Sequence, residues 1–218
     1  MIAMKNNKDK KSSSRLFRKN SNPKRNVMLN QFKLGIFEFE CYADAFCDAA
    51  FKLAVAKSQD PGYQDFKSLP IVFLFRHALE LYMKGFIIYD RMIRNLSKME
   101  KFELKDILST HELKKLLPDF RQSILNAKWE WPPTVTYENE IISLEQIIDE
   151  IDTYDRHSFS FRYPISKKTH DNPLPKGLQF DVYRFASIMK LMCELLSGGC
   201  MGLSELYSNL RDVISEIY

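Results

Sequence analysis

PIVFLFRHALELYMKGFIIYDRMIR, Pro70–Arg94, is the stretch whose reading decides the fold. It is apolar nearly all round, as a helix surrounded by other helices must be, and Pro70 suits a first helical turn. Yet Arg76, Glu80 and Lys84 recur at i, i+4 and i+8, which puts them on one stripe of that helix. His77 lies beside the stripe. Burying such charges without partners costs roughly several kcal/mol, so counter-charges must come from elsewhere in the chain. Four ionisable groups within nine residues also argue against a membrane span here.

Composition agrees with a helical body. The chain has 218 residues, 28% charged and 45% hydrophobic, with only seven glycines, which is enough apolar material for one domain with a sizeable core. Cys41, Cys47, Cys193 and Cys200 form no CxxC pair and have no histidine at ligand spacing, so they read as reduced, buried thiols, and no metal or other cofactor is expected. Neither a secretory signal nor a membrane-spanning run is visible, and the expected location is the cytoplasm. Charge is uneven along the chain. Met1–Leu29 holds nine basic residues against Asp9, a net +8, so with the whole chain at +4 the remainder carries −4. Residues 1–30 therefore read as a basic, disordered arm and 31–218 as a single helical domain. Such an arm attracts nucleic acid, an anionic surface or the acidic body of its own protein.

Outward from the central helix, a stripe of Phe39, Ala43, Phe46, Ala50, Leu53 and Ala54 predicts a first helix over Glu38–Lys57, and SQDPGYQD, Ser58–Asp65, a turn. Ser109 and Glu112 spell a capping box, which predicts a helix from about Thr110 with His111 in its first turn, where the helix field favours a neutral imidazole able to act as a base. Pro118 should kink or split that helix. Trp129 and Trp131, ahead of Pro132 and Pro133, close the end of the bundle. Ser143 caps a helix with Leu144, Ile147, Ile148 and Ile151 on one face and a row of Glu145, Asp149 and Asp152 on another, suited to a basic partner such as the arm. Asp155–Pro175 shows no period and carries Asp155, Arg156, His157, Ser158, Arg162, Tyr163, Lys167, Lys168 and His170, candidate partners for the stripe: Asp155 for Arg76 or Lys84, Arg162 for Glu80. Asp181 caps another helix, Gly198 and Gly199 end it, and Leu203–Ile217 forms a last one, the two making an αα-hairpin. The sum is an all-α bundle of about five to seven helices with one long irregular loop.

FRHALELYMKGFI (Phe75–Ile87), THELKKL (Thr110–Leu116) and DRHSFSFRYP (Asp155–Pro164), in that order, resemble bacterial helical-bundle proteins of the HEPN superfamily. The resemblance implies an all-α bundle, often a homodimer, found in toxin–antitoxin or phage-defence systems, with metal-independent ribonuclease activity in many members. RNA, and a protein partner or antitoxin, are the partners it suggests. The family's nucleases carry an Arg and a His at closer spacing than Arg162 and His170, which seven residues separate here, so no catalytic residue transfers on that motif.

Two readings follow from the residues. In the first, a metal-independent ribonuclease, His111 or His170 is the base and Arg76 with Arg162 holds the phosphate. In the second, a non-catalytic binding or dimerisation module, His77, Arg76, Glu80 and Lys84 belong to an ionic network that locks Asp155, Ser158, Arg162 and Tyr163 onto the bundle.

Overall fold

The computed structural model describes residues 21–25, 27–29, 35–60, 65–96, 103–166 and 169–217. Met1–Leu34 and Gly35–Tyr218 are two separate units. In the first, Pro23–Arg25 makes a single 3-10 turn and Val27, Met28 and Leu29 are exposed. The rest of the expected arm, Met1–Asn20 included, lies outside the described residues, as do Lys167 and Lys168.

The second unit is an all-α bundle. Its elements are α1 (Phe39–Gln59), α2 (Leu69–Leu96), α3 (Lys105–Ser109), α4 (Leu113–Asn126), β1 (Thr134–Tyr137), β2 (Glu140–Ser143), α5 (Leu144–Asp155) and α6 (Val182–Ile217). Helix α2 is the axis, packed by α1, α4 and α6. Its apolar side chains Ile71, Phe75, Leu79, Met83, Phe86 and Ile87 are all buried, each worth about 1.5–3 kcal/mol on removal from water. Small residues bring α1 in close: Ala43, Ala50 and Ala54 are fully buried. Polar pins fix α3 and α4 against the far end of α2. Asp90 accepts from Asn126 Nδ2 at 2.9 Å and Ser123 Oγ at 3.3 Å, and Arg91 bridges Asp106 and Asp119 at 2.8 and 2.9 Å.

Four features depart from the sequence reading. Ser109 does not begin a helix but ends α3, its hydroxyl donating to the Asp106 carbonyl at 3.2 Å. Thr110 and Glu112 are extended, and α4 starts only at Leu113, because the His111 carbonyl is drawn away to Arg76. Of the two outcomes expected at Pro118, a kink or a split, the split does not occur: α4 runs through this residue in its second turn. An antiparallel hairpin, with Tyr137 opposite Glu140 and Thr134 opposite Ser143, occupies a segment to which the sequence assigned no element. Finally, the expected αα-hairpin is one helix of 36 residues.

Gly199 explains that continuity. A Cβ there would lie 2.3 Å from Phe86 Cζ and 3.1 Å from Trp129 Cζ3, so the residue is small to let two rings approach, not to stop the helix. Trp129 and Trp131 do close the bundle, edge-on to Phe86 and Phe120 at 5.7 and 6.1 Å. Because it is unbroken, Val182–Glu216 is long and apolar enough to cross a membrane by length and composition, contrary to the reading that split it. Its mean hydropathy over the most apolar window is 1.2, and 39% of that window is buried.

Cys47, Cys193 and Cys200 are buried as expected, whereas Cys41 is exposed. Burial pushes the Cys200 thiol well up.

Candidate functional site

The charged stripe of α2 turns inward. Arg76 is 0% exposed, Glu80 1% and Lys84 4%, so the helix carries three charges into the core. Glu80 is their hub. Its Oε2 accepts from Arg76 Nη1 at 3.2 Å, and its Oε1 from Lys84 Nζ at 2.8 Å and His111 Nδ1 at 2.9 Å. Burial pushes the Glu80 carboxyl up, but the Lys84 ammonium and the His111 ring outweigh it and hold the group below the ordinary glutamate value.

The remaining Arg76 donors bind backbone. Nε reaches the Asp155 carbonyl at 3.1 Å, and Nη2 serves the carbonyls of His111 and, at 3.4 Å, Arg156. One guanidinium thus fastens the approach to α4 and the exit of α5 to the middle of α2. Asp155, buried to 1%, completes the joint: its Oδ2 lies 3.6 Å from Arg76 Nε, while Oδ1 accepts the backbone N–H groups of Phe159 and Ser160. Of the two partners expected for Asp155, Arg76 is the one found.

This fastening sets two surface segments side by side. Glu112, the chain neighbour of His111, accepts from Arg156 Nε at 3.1 Å, pairs with Lys115, and lies 3.6 Å from His157 Nδ1. The Lys115 ammonium and the Arg156 guanidinium hold the Glu112 carboxyl below its usual range. The side chains of His111, Lys115, Arg156 and His157 are each between 61% and 67% exposed. One imidazole, that of His157, and two cations therefore stand around the Glu112 carboxylate at the surface, while the ring of its chain neighbour His111 reaches in to Glu80.

Glu80 fixes the state of one of those imidazoles. A carboxylate only accepts, so the neutral His111 ring must carry its proton on Nδ1, and the lone pair sits on Nε2, on a ring mostly open to solvent. His111 is not in a helical turn as expected, since it precedes α4 by two residues, and Glu80 rather than the helix field sets its tautomer.

Several expected site residues fall elsewhere. Arg76 has no surface and spends its donors inside, so it cannot hold a phosphate. Arg162 does not meet Glu80; its guanidinium lies 5.3 Å from the Phe73 ring and 5.6 Å from the Tyr163 ring, two aromatic faces that suit a planar cation. Tyr163, half exposed, stacks on Phe159 at 4.6 Å. His77 is sandwiched between Phe46 at 4.7 Å and Phe73 at 5.9 Å, and burial pushes its imidazole below the ordinary value of 6.5. Ser158 is buried at the turn after α5, with φ +57°. His170 is exposed, its N–H donating to the Ser166 carbonyl at 3.0 Å, and among the described residues no hydrogen bond or ion pair joins it to the cluster.

The row on α5 also has its partner. Asp149 and Asp152 take Lys114 of α4 at 3.0 and 3.5 Å. Among the described residues no group of three or more His, Cys, Asp or Glu is placed to hold a metal ion.

Glu112 and Lys115 were not singled out from sequence as site residues, and Arg156 and His157 were read as partners for the buried stripe, not as a surface group. The signal was present in the pairs His111–Glu112 and Arg156–His157, each a histidine beside a charge, at the two ends that Arg76 ties together. Comparison with protein-family models, curated proteins and solved structures gives no match for this chain.

Proposed function

We propose that this protein is an RNA-directed endoribonuclease that works by general acid–base catalysis without a metal, with His111 as base. The observation that carries the reading is the buried Glu80 carboxylate bonded to Nδ1 of a surface imidazole. When His111 Nε2 takes a proton, the new charge on the ring faces Glu80 and is stabilised there. In RNA the proton comes from a 2′-hydroxyl. Its oxygen attacks the adjacent phosphorus, the bond to the 5′ oxygen breaks, and His157 in its protonated form gives that oxygen a proton, leaving a 2′,3′-cyclic phosphate and a 5′-hydroxyl. Arg156 and Lys115 supply positive charge for the oxygens of the phosphorus in flight. Tyr163, stacked on Phe159 and flanked by Arg162, offers a π face to an unpaired base. The +8 segment Met1–Leu29 raises the local concentration of RNA. The resemblance to HEPN proteins points the same way and would place the activity in a toxin–antitoxin or defence setting, with a second copy of the chain or an antitoxin as protein partner.

The test is cleavage of a mixed single-stranded RNA in EDTA by wild type, His111→Ala and His157→Ala, all with matching circular dichroism. Each variant should lose about 100-fold or more. Wild-type RNA left intact would overturn the reading. A second reading then stands, supported by the depth at which Arg76, Glu80 and Lys84 are buried: a non-catalytic module whose ionic network shapes the surface of Glu112, Arg156 and His157 for a protein partner.

A further inference from the structure

An open pocket of about 510 Å³ lies apart from the histidine site, lined by Val72 of α2, β2, α5, α6, Phe161 and the segment 178–181. That volume is within the range of roughly 300–1,000 Å³ in which proteins bury most of a drug-sized molecule. Ile147, Ile151, Phe161 and Met189, all buried, contribute apolar walls. The polar side chains that line it are exposed or half-buried, and so form its mouth: Glu140, Glu150, Tyr154, Gln179, Asp181 and Arg184, with Gln146 engaged in the cap of α5.

The partners of these groups decide what the mouth attracts. Arg184 is consumed by Glu138 at 3.3 Å and Glu140 at 2.6 Å. Asp181 accepts the N–H groups of Tyr183 and Arg184 at 2.9 and 3.0 Å through Oδ1. Glu150, Tyr154 and Gln179 have no partner among the described residues. Three carboxylates against one guanidinium leave the mouth at −2, and the unpaired carboxylate among them is Glu150. Phosphates are repelled there, and an apolar molecule without charge leaves Glu150 unanswered. Its walls come from α2, β2, α5, α6, Phe161 and the segment 178–181 and do not run as a groove along one element, which suits a compact molecule better than an extended peptide.

We propose that this cavity binds a small organic amine, its apolar body among Ile147, Ile151 and Phe161 and its ammonium at Glu150, with Tyr154 and Gln179 supplying further hydrogen bonds. The site is independent of the RNA reading and stands or falls separately.

The probes are 4-phenylbutylamine and 4-phenylbutyrate, which share an apolar body and differ in charge. Each is titrated into the full chain and followed by protein-observed NMR. The amine should bind about fivefold or more tightly than the acid, given attraction in one case and repulsion in the other at a half-exposed mouth. Glu150→Gln should erase most of that preference without weakening the acid. Ile188→Trp, which fills the cavity from a half-buried position on α6, should abolish amine binding at unchanged circular dichroism. Equal affinity for the two probes, no binding of either, or amine binding untouched by Ile188→Trp would each overturn the proposal.

Discussion

Glu80 is the residue on which the interior depends. It faces Arg76, Lys84 and His111 from a position 1% exposed, so its charge is what makes two buried cations tolerable. Glu80→Gln keeps the shape and removes the charge. The expected cost is about 3–5 kcal/mol, the usual consequence of leaving buried charge uncompensated, read as a lower midpoint in chemical denaturation. An unchanged midpoint would show that the stripe is not a stability determinant. The same group sets a pH window. Because its folded pKa is depressed, Glu80 contributes stability that is fully present above the ordinary value of 4.5 and is lost as pH falls through the folded value. His77, whose pKa burial also depresses, gives up its contribution earlier, from 6.5 downward, since the unfolded chain takes the proton first. Acid titration of stability should therefore fall in two stages, and Glu80→Gln should shrink the lower one, to which the depressed carboxyls of Asp106 and Glu112 also contribute.

At the scale of an element, α6 shows how the same residue type at adjacent positions does opposite things. Gly199 is wedged against Phe86 and Trp129, while a Cβ at Gly198 would meet nothing within 4 Å. Gly198→Ala should then stabilise the protein by about 0.5–1 kcal/mol, since it removes backbone freedom from the unfolded chain and improves helix propensity at no steric cost. Gly199→Ala should destabilise it by roughly 1–3 kcal/mol, because Phe86 must leave its place in the core. Paired thermal melts decide the matter, and a common sign for the two would contradict the packing described. The hairpin makes a related point about local chemistry. Its two-residue turn, Glu138–Asn139, has φ +47° and +67°, a conformation Asn tolerates and Glu rarely adopts. Arg184 compensates from α6, binding Glu138 and Glu140 and lying 5.4 Å from the Tyr137 ring.

Over the whole molecule, what was legible in the sequence is what short-range pattern encodes. The 3.6-residue period of α2, the Ser143 cap and the need of the stripe for Asp155, with Arg76 or Lys84 as its partner, could all be read from spacing and charge. The continuity of α6 could not, because Gly198–Gly199 reads locally as a stop and only Phe86 and Trp129, distant in sequence, reveal why a glycine is there. Nor could the hairpin, whose turn lacks glycine, or the place of Arg162, which depends on Phe73 arriving from α2. The site shows the same division: the charges were visible, but their grouping depends on backbone carbonyls, which carry no sequence signal. Arg76 holds the carbonyls of His111, Asp155 and Arg156 with a single side chain, so the two segments that bear the surface histidines should loosen as one. Arg76→Met keeps the stem and removes the donors. Hydrogen exchange in that variant should rise together at the amides of Glu112, Phe159 and Ser160, while the α1–α2 contact around Ala50 and Ala54, which shares none of these bonds, stays protected. Faster exchange at Glu112 with no change at Phe159 and Ser160 would mean that Asp155 secures the loop by itself, and that the guanidinium is not the common tie between the two halves of the site.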